Sequence, residues 1–212
     1  EIADWLIELG VSIKRNVRFY GPAKSYIEID ILVNDKIGIE FNGLYWHSER
    51  QGKDKNYHLN KLNKAQENGI QLIQIFEHEW VNNSEICKSI IKTKLGICET
   101  RFFARKTKVV KVPLKIAQDF FDKNHIHGSA GISTAIGLEF NGQLVAVQGW
   151  AKARYTKKDE LELIRYSTLK NTIVVGGLSK LTKYQALTNP NLISYCDLRW
   201  GTGAGYLASG WE

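Results

Sequence analysis

Two acidic side chains on neighbouring predicted strands are the residues of this chain best suited to metal chemistry. Apolar and polar residues alternate through residues 26–33 and again through residues 37–42, which is the period of a half-buried β-strand. Residues 34–36 between them are typical of a hairpin turn, and pairing through it brings Asp30 and Glu40 together on one face. Two carboxylates aimed at one point suit a hard divalent cation, so Mg²⁺ or Mn²⁺ is the predicted cofactor. Strict alternation places the aliphatic residues of the first strand on the opposite face: Ile27, Ile29, Ile31 and Val33.

The residues that follow the second strand favour a functional site over the alternative that both acids merely face solvent. Acids on the polar face of an amphipathic hairpin are usually only solvated. Here, however, residues 40–43 lead directly into Tyr45, Trp46 and His47. Bulky rings beside a turn glycine gain little from exposure unless they meet a partner, so this segment is expected to contact a ligand.

The stretch from Tyr26 to Glu49 resembles the nuclease core of the PD-(D/E)xK superfamily. It is more similar still to the very-short-patch-repair branch and to the related phage homing endonucleases of the EDxHD group. The resemblance covers roughly residues 1–96 and implies a mixed sheet flanked by helices. It also implies a catalytic acid on the first helix, which is Glu1 or Glu8, and acids on the hairpin, which are Asp30 and Glu40. His47 is the implied histidine after an aromatic pair, and Asp54 is the implied acid further along the chain.

The mechanism that this resemblance implies uses a metal ion and a histidine. Asp30 and Glu40 would hold the cation that stabilises charge on the scissile phosphate. His47 would act as general base on the attacking water, a role that suits a group with an ordinary pKa of about 6.5. The alternative for His47 is a structural histidine held by hydrogen bonds.

The chain departs from the pattern of the superfamily at several positions. Asn42 stands where a lysine is expected and Ile29 where a proline is expected, which favours the histidine-assisted mechanism. Lys61, on a helix predicted for residues 54–69, is the candidate for a relocated lysine, although lysines at such spacing usually form a solvated face. Leu44 stands where the repair enzymes carry a zinc-binding cysteine, so no zinc ion is predicted.

Several residues of the first half are predicted to contact DNA. Tyr45 and Trp46 are expected to stack on or insert between base pairs, with core packing as the alternative. Asn42 and Lys61 are assigned to the same interface.

Positive charge is concentrated in the second half of the chain. Residues 1–99 contain 13 Lys and Arg against 14 Asp and Glu, whereas residues 100–212 contain 16 against 8. Double-stranded DNA is therefore the predicted partner, held mainly by the second half. A basic linker over residues 100–111 is expected to follow the phosphate backbone with exposed cations: Arg101, Arg105, Lys106 and Lys108.

The second half resembles the N-acetyltransferase-like (GNAT-like) fold. Residues 138–147 are typical of a hairpin around Asn141-Gly142, and residues 175–179 carry a glycine turn from a strand into a helix. In that family such a turn cradles the pyrophosphate of coenzyme A, but the match is weak in motif and no cofactor-binding residue is assigned. We expect this domain to bind DNA rather than to transfer acyl groups.

Composition bounds the remaining possibilities. Three cysteines without a Cys/His cluster indicate thiols in a reducing compartment, and no apolar run is long enough to span a membrane. The absence of methionine and the opening inside a helical pattern indicate a piece of a longer polypeptide, cut at both ends. We expect a phage-encoded protein that acts in the cytoplasm of the bacterial host.

The sequence as a whole predicts an α/β (α+β) protein with two domains. Residues 1–99 are the nuclease domain, residues 100–111 the linker and residues 112–212 the GNAT-like domain. The predicted function is metal-dependent DNA cleavage of the homing type. The alternatives are an acyltransferase-like enzyme with an inactive nuclease half and a non-catalytic DNA-binding protein, and the oligomeric state is left open.

Overall fold

The structure is a computed structural model that describes residues 1–20, 26–43, 56–156 and 159–212. The predictions for Tyr45, Trp46, His47 and Asp54 lie outside the described residues. The chain divides into two compact units, and the predicted α+β class with mixed sheets is confirmed. Unit 1 contains residues 1–82 and 197–202, and unit 2 contains residues 83–196 and 203–212.

Unit 1 is a four-stranded mixed sheet with helices. Its elements are α1 (Ile2–Glu8), β1 (Ile13–Tyr20), β2 (Tyr26–Val33), β3 (Ile37–Asn42), α2 (Tyr57–Glu67) and β4 (Gln71–Phe76). The strand order is β1-β2-β3-β4; β2 is antiparallel to both β1 and β3, and β4 runs parallel to β3. The helix α3 (Glu77–Leu95) follows β4 directly and is kinked at Asn83.

The predicted hairpin between β2 and β3 is confirmed. Asn34 and Asp35 have φ angles of 50° and 55°. This left-handed region is one that asparagine and aspartate tolerate better than other side chains, which is why the chain turns here.

The predicted strict alternation along β2 is wrong at Asp30. Ile27 and Ile29 belong to one core cluster with Leu32, Ala65 and Leu72, so the residues that share this side do not keep a spacing of two. The opposing strand is irregular at the same level, because the pairs Arg15–Ile31 and Val17–Ile29 flank Asn16, whose φ is 51°. A local irregularity of this kind turns later side chains to the other face and re-aims the residue where it occurs.

Unit 2 is built on a five-stranded sheet and a small parallel pair of strands. Its elements are β5 (Thr100–Phe103), β6 (Lys108–Lys111), α4 (Leu114–Asn124), β7 (Thr134–Phe140), β8 (Gln143–Lys152), β9 (Leu161–Thr168), β10 (Thr172–Val175), α5 (Gly177–Ala186), β11 (Leu192–Ser194) and α6 (Ala204–Leu207). The large sheet has the order β11-β9-β8-β7-β6 and is antiparallel except for β11 beside β9. The strands β5 and β10 form the parallel pair. Within the described residues, no helix combines the length and the apolar character needed to cross a membrane.

The segment 100–111 is not a linker, which corrects the sequence prediction. It forms β5, a short 3-10 turn over Ala104–Lys106, and β6, the edge strand of the large sheet. The apolar residues between its charges explain this difference, because Phe102, Ala104 and Val109 pack into the core of unit 2 while the basic side chains stay exposed. The hairpin predicted around Asn141-Gly142 is confirmed, and both residues have positive φ angles of 49° and 80°.

Candidate metal centre

The carboxylate of Asp30 lies where β2 leaves regular pairing with β3. The regular ladder ends at the pair Ile31–Ile39. Beyond this pair, the backbone N–H of Phe41 donates a hydrogen bond to Oδ2 of Asp30 over 2.9 Å. The side chain of Asp30 therefore takes the place of a backbone acceptor, which fixes its carboxylate against β3.

A cavity of about 390 Å³ is lined both by Asp30 and by the acid that caps the N-terminus of α1. Glu1 and Asp30 both line it, together with Phe41 of β3 and Trp80. Glu8, the other candidate for the helix acid, is exposed at the opposite end of α1 and is not among the lining residues. Of the two alternatives, Glu1 is the one that the fold brings towards Asp30.

Glu40 forms a buried ion pair with Lys61 of α2. The exposed fractions of the two residues are only 4% and 7%, and the Lys61 ammonium contacts Oε1 of Glu40. The second carboxylate oxygen, Oε2, has no hydrogen-bond partner within the part of the chain that the structure describes. Lys61 therefore does not belong to a solvated face, and its charge is directed at the carboxylate of the hairpin.

The surroundings of Glu40 raise the pKa of its carboxyl above the ordinary value. Burial is the largest cause, because it penalises the charged form, and the nearby carboxylate of Asp30 raises the pKa further. The Lys61 ammonium and the backbone N–H of Asp30 act in the opposite direction. Asp30 and Glu40 therefore lie close enough for their charges to interact, and their mutual repulsion is of the kind that a bound cation relieves.

A layer of buried polar groups lies beside Glu40. Gln74 is the β4 residue paired with Glu40 and is only 1% exposed. Its amide accepts a hydrogen bond from Nδ1 of His58 over 2.9 Å and donates one to the backbone oxygen of His58 over 3.0 Å. Gln74 and His58 were not among the predicted site residues, although a glutamine inside an otherwise apolar strand pattern is a signal for such a role.

Asn42 is also inside unit 1 rather than at its surface. It is 1% exposed, and within the described residues its Nδ2 has no hydrogen-bond partner. A direct contact between Asn42 and DNA, as predicted, would require this side chain to be uncovered first.

An arginine near the end of the chain supports β4 from its outer edge. The guanidinium of Arg199 binds both carboxylate oxygens of Glu79 at 3.0 and 3.2 Å and Oδ2 of Asp197 at 2.8 Å. Glu79 accepts a hydrogen bond from the backbone N–H of Phe76, and the backbone N–H of Gln74 donates to the carbonyl of Arg199. The segment 197–202 thus belongs to unit 1, which the sequence did not predict.

The basic residues predicted to bind DNA are exposed in unit 2. They lie on β5, on the following turn and at the start of β6: Arg101, Arg105, Lys106 and Lys108. The guanidinium of Arg105 lies 5.4 Å from the centroid of the Phe103 ring, which leaves its charge at the surface.

The glycine turn before α5 is occupied by side chains of the protein itself. The hydroxyl oxygen of Tyr166 accepts a hydrogen bond from the backbone N–H of Leu178, and burial raises the pKa of Tyr166. A Cβ atom at Gly177 would lie 2.6 Å from this hydroxyl, so glycine is required here by the close approach. Lys180 donates hydrogen bonds to the carbonyls of Ala104 and Thr107.

Comparisons with known proteins identify no relative of this chain. It matches no protein-family model, no curated protein and no solved structure. Within residues 1–20, 26–43, 56–156 and 159–212, no three His, Cys, Asp or Glu side chains cluster as the ligands of a metal ion. His47 and Asp54, which were predicted to complete the site, lie outside those ranges.

Proposed function

We propose that unit 1 is a divalent-metal-dependent DNA endonuclease of the homing type. The observation that carries this proposal is the pair of hairpin acids, one of which is buried beside a lysine with one oxygen unsatisfied. A buried, hydrogen-bond-deficient carboxylate oxygen near a second carboxylate is costly unless a cation binds there.

The residues fit a magnesium-type ion. Asp30 and Glu40 would supply hard oxygen ligands, and Oε2 of Glu40 is the atom that lacks a partner within the described residues. The cation supplies charge neutralisation at a scissile phosphate when it is bound. The Lys61 ammonium lowers the pKa of Glu40 against the effect of burial, and Phe41 orients Asp30 through its backbone N–H.

The order of elements in unit 1 also supports the proposal. A helix is followed by antiparallel strands, a second helix and a parallel strand, which gives the helix-flanked mixed sheet that the resemblance to PD-(D/E)xK nucleases implies. The buried Glu40–Lys61 pair corresponds to the acid and the relocated lysine proposed from the sequence. We assign the general-base role to His47 as part of the same proposal.

A second candidate function is DNA binding without cleavage. It is favoured by the deep burial of Glu40, because a carboxylate that is 4% exposed and already paired with a lysine can serve structure alone. Acyl transfer is less favoured, since Tyr166 accepts the hydrogen bond of a backbone N–H at the start of α5.

The experiment that separates these candidates is plasmid cleavage in Mg²⁺ with and without EDTA. We expect nicking or linearisation that EDTA, Asp30→Ala and His47→Ala each abolish while DNA binding survives. Asp35→Ala is the matched control, because this acid lies in the same hairpin but is exposed and forms an ion pair with Lys14 at 2.6 Å. Undiminished cleavage by Asp30→Ala would reject the assigned site, and a wild-type protein that binds DNA but never cuts it would favour the non-catalytic function.

A further inference from the structure

Two exposed tyrosines pair across β1 and β2 at the end of their ladder. Tyr20 and Tyr26 are the terminal pair of this ladder, and their exposed fractions are 71% and 52%. Their ring centroids are 5.9 Å apart, and the guanidinium of Arg18 lies 5.1 Å from the centroid of Tyr26. Arg18 is itself held by Glu28 at 2.6 Å. We call Tyr20, Tyr26 and Arg18 the tyrosine platform.

The tyrosine platform adjoins a groove that is also lined by Lys61, the ion-pair partner of Glu40. The groove has a volume of about 550 Å³ and is lined by Tyr26 and Glu28 on one side and by residues of α2 on the other. The residues of α2 include Lys61, whose ammonium binds Glu40, and the exposed Lys64. Tyr57 and Asn60 complete this wall. Aromatic faces, amide groups and lysines are the side chains that recognise bases and phosphates.

The tyrosine platform and its groove are suited to bind a nucleotide whose base is not stacked in a duplex. Large aromatic rings that remain exposed indicate a binding surface, and a tyrosine face binds a base by stacking. In an intact duplex both faces of each base are covered by neighbouring pairs, so such stacking requires a single-stranded or locally opened segment. A lysine in the adjoining groove can then bind the flanking phosphate.

We infer that the tyrosine platform and its groove bind a base and its flanking phosphate from single-stranded DNA, beside the Glu40–Lys61 pair. The inference deepens the proposed function, on which its substrate class rests. It assigns the β1–β2 hairpin as the element that holds an opened strand next to the hairpin acids.

The test is a binding measurement that does not depend on cleavage. Fluorescence anisotropy in EDTA compares labelled oligothymidylate with a labelled duplex, using wild type and the double variant Tyr20→Ala/Tyr26→Ala. We expect affinity for the single strand to fall about tenfold, since base stacking on an aromatic ring contributes on this order, while duplex affinity changes less than twofold. The double variant Tyr20→Phe/Tyr26→Phe retains the rings and should bind like wild type.

A second exposed tyrosine pair provides the matched control. Tyr155 and Tyr195 are 82% and 55% exposed, and their ring centroids are 6.2 Å apart. Tyr155→Ala/Tyr195→Ala should leave oligothymidylate binding unchanged. Unchanged binding in the platform variant, or an equal loss in this control, would overturn the inference.

The outcome is independent of whether the protein cuts DNA. A loss of oligothymidylate binding in the platform variant, together with no nuclease activity of the wild type, supports the inference and rejects the proposed function. If the wild type cleaves plasmid but the platform variant binds oligothymidylate normally, the proposed function is supported and the inference is rejected. Equal thermal melting of wild type and platform variant, expected for exposed side chains, excludes misfolding as the cause of lost binding.

Discussion

Replacement of Lys61 by methionine tests the role of the buried ion pair most directly. Methionine keeps most of the side-chain volume but removes the ammonium, which leaves the carboxylate of Glu40 buried without its cation. Breaking a buried pair on one side costs about 3–5 kcal/mol when the remaining group stays charged. For a protein of this size, such a loss lowers the melting temperature by about 10 °C.

The stability lost in Lys61→Met should increase as the pH rises. The folded-state pKa of Glu40 is already raised, and Lys61 is one of the groups that lower it, so Lys61→Met raises it further. A carboxyl with a raised folded-state pKa contributes stability that is present below its unfolded pKa and is lost as the pH rises through the folded value. Each unit of additional pKa shift is worth about 1.4 kcal/mol. The variant should therefore be nearly as stable as wild type near pH 4 and clearly less stable near pH 8.

The assay is thermal melting of wild type and variants across this pH range. Lys64→Met is the matched control, because Lys64 lies one turn further along α2 and is exposed. The double variant Glu40→Gln/Lys61→Met removes both charges and should recover most of the stability lost in Lys61→Met. A loss no greater than that of Lys64→Met, or a loss that grows as the pH falls, would refute the reasoning.

Three further outcomes are expected. At limiting Mg²⁺, the cleavage rate should increase as the pH rises through the raised pKa of Glu40, because protons compete with the cation for this carboxylate. The control variant Asp35→Ala should show the same pH dependence. Arg199→Ala should destabilise the protein by about 2 kcal/mol in urea denaturation, because it leaves the buried Glu79 without its bidentate partner. Arg18→Ala is the control for Arg199→Ala, because it breaks a more exposed ion pair and should destabilise the protein less. The triple variant Arg105→Ala/Lys106→Ala/Lys108→Ala removes exposed basic residues around the β5–β6 turn. It should flatten the slope of log DNA affinity against log salt concentration by about 2–3. An unchanged slope would show that these residues are not part of the DNA interface.

Much of the secondary structure could be predicted because it depends on local patterns. The strands predicted over residues 26–33 and 37–42 coincide with β2 and β3, and the hairpin around Asn141-Gly142 has the predicted turn. In each case the period of apolar side chains and the turn residues act over a few neighbouring positions. The segment 100–111 differs from the sequence prediction because its five basic residues are interleaved with apolar ones, and only packing shows that several of those apolar residues lie in or against the core.

The sequence alone determined the strands that carry Asp30 and Glu40 and the turn that joins them, since backbone preferences and alternation are local properties. Only the tertiary structure decided that alternation breaks at Asp30, that Lys61 reaches Glu40 across 21 residues, and that the segment 197–202 joins unit 1. The physical reason is that these features come from contacts between residues distant in the chain. Burial, charge pairing and close approach at such contacts are fixed by packing, which local side-chain patterns do not specify.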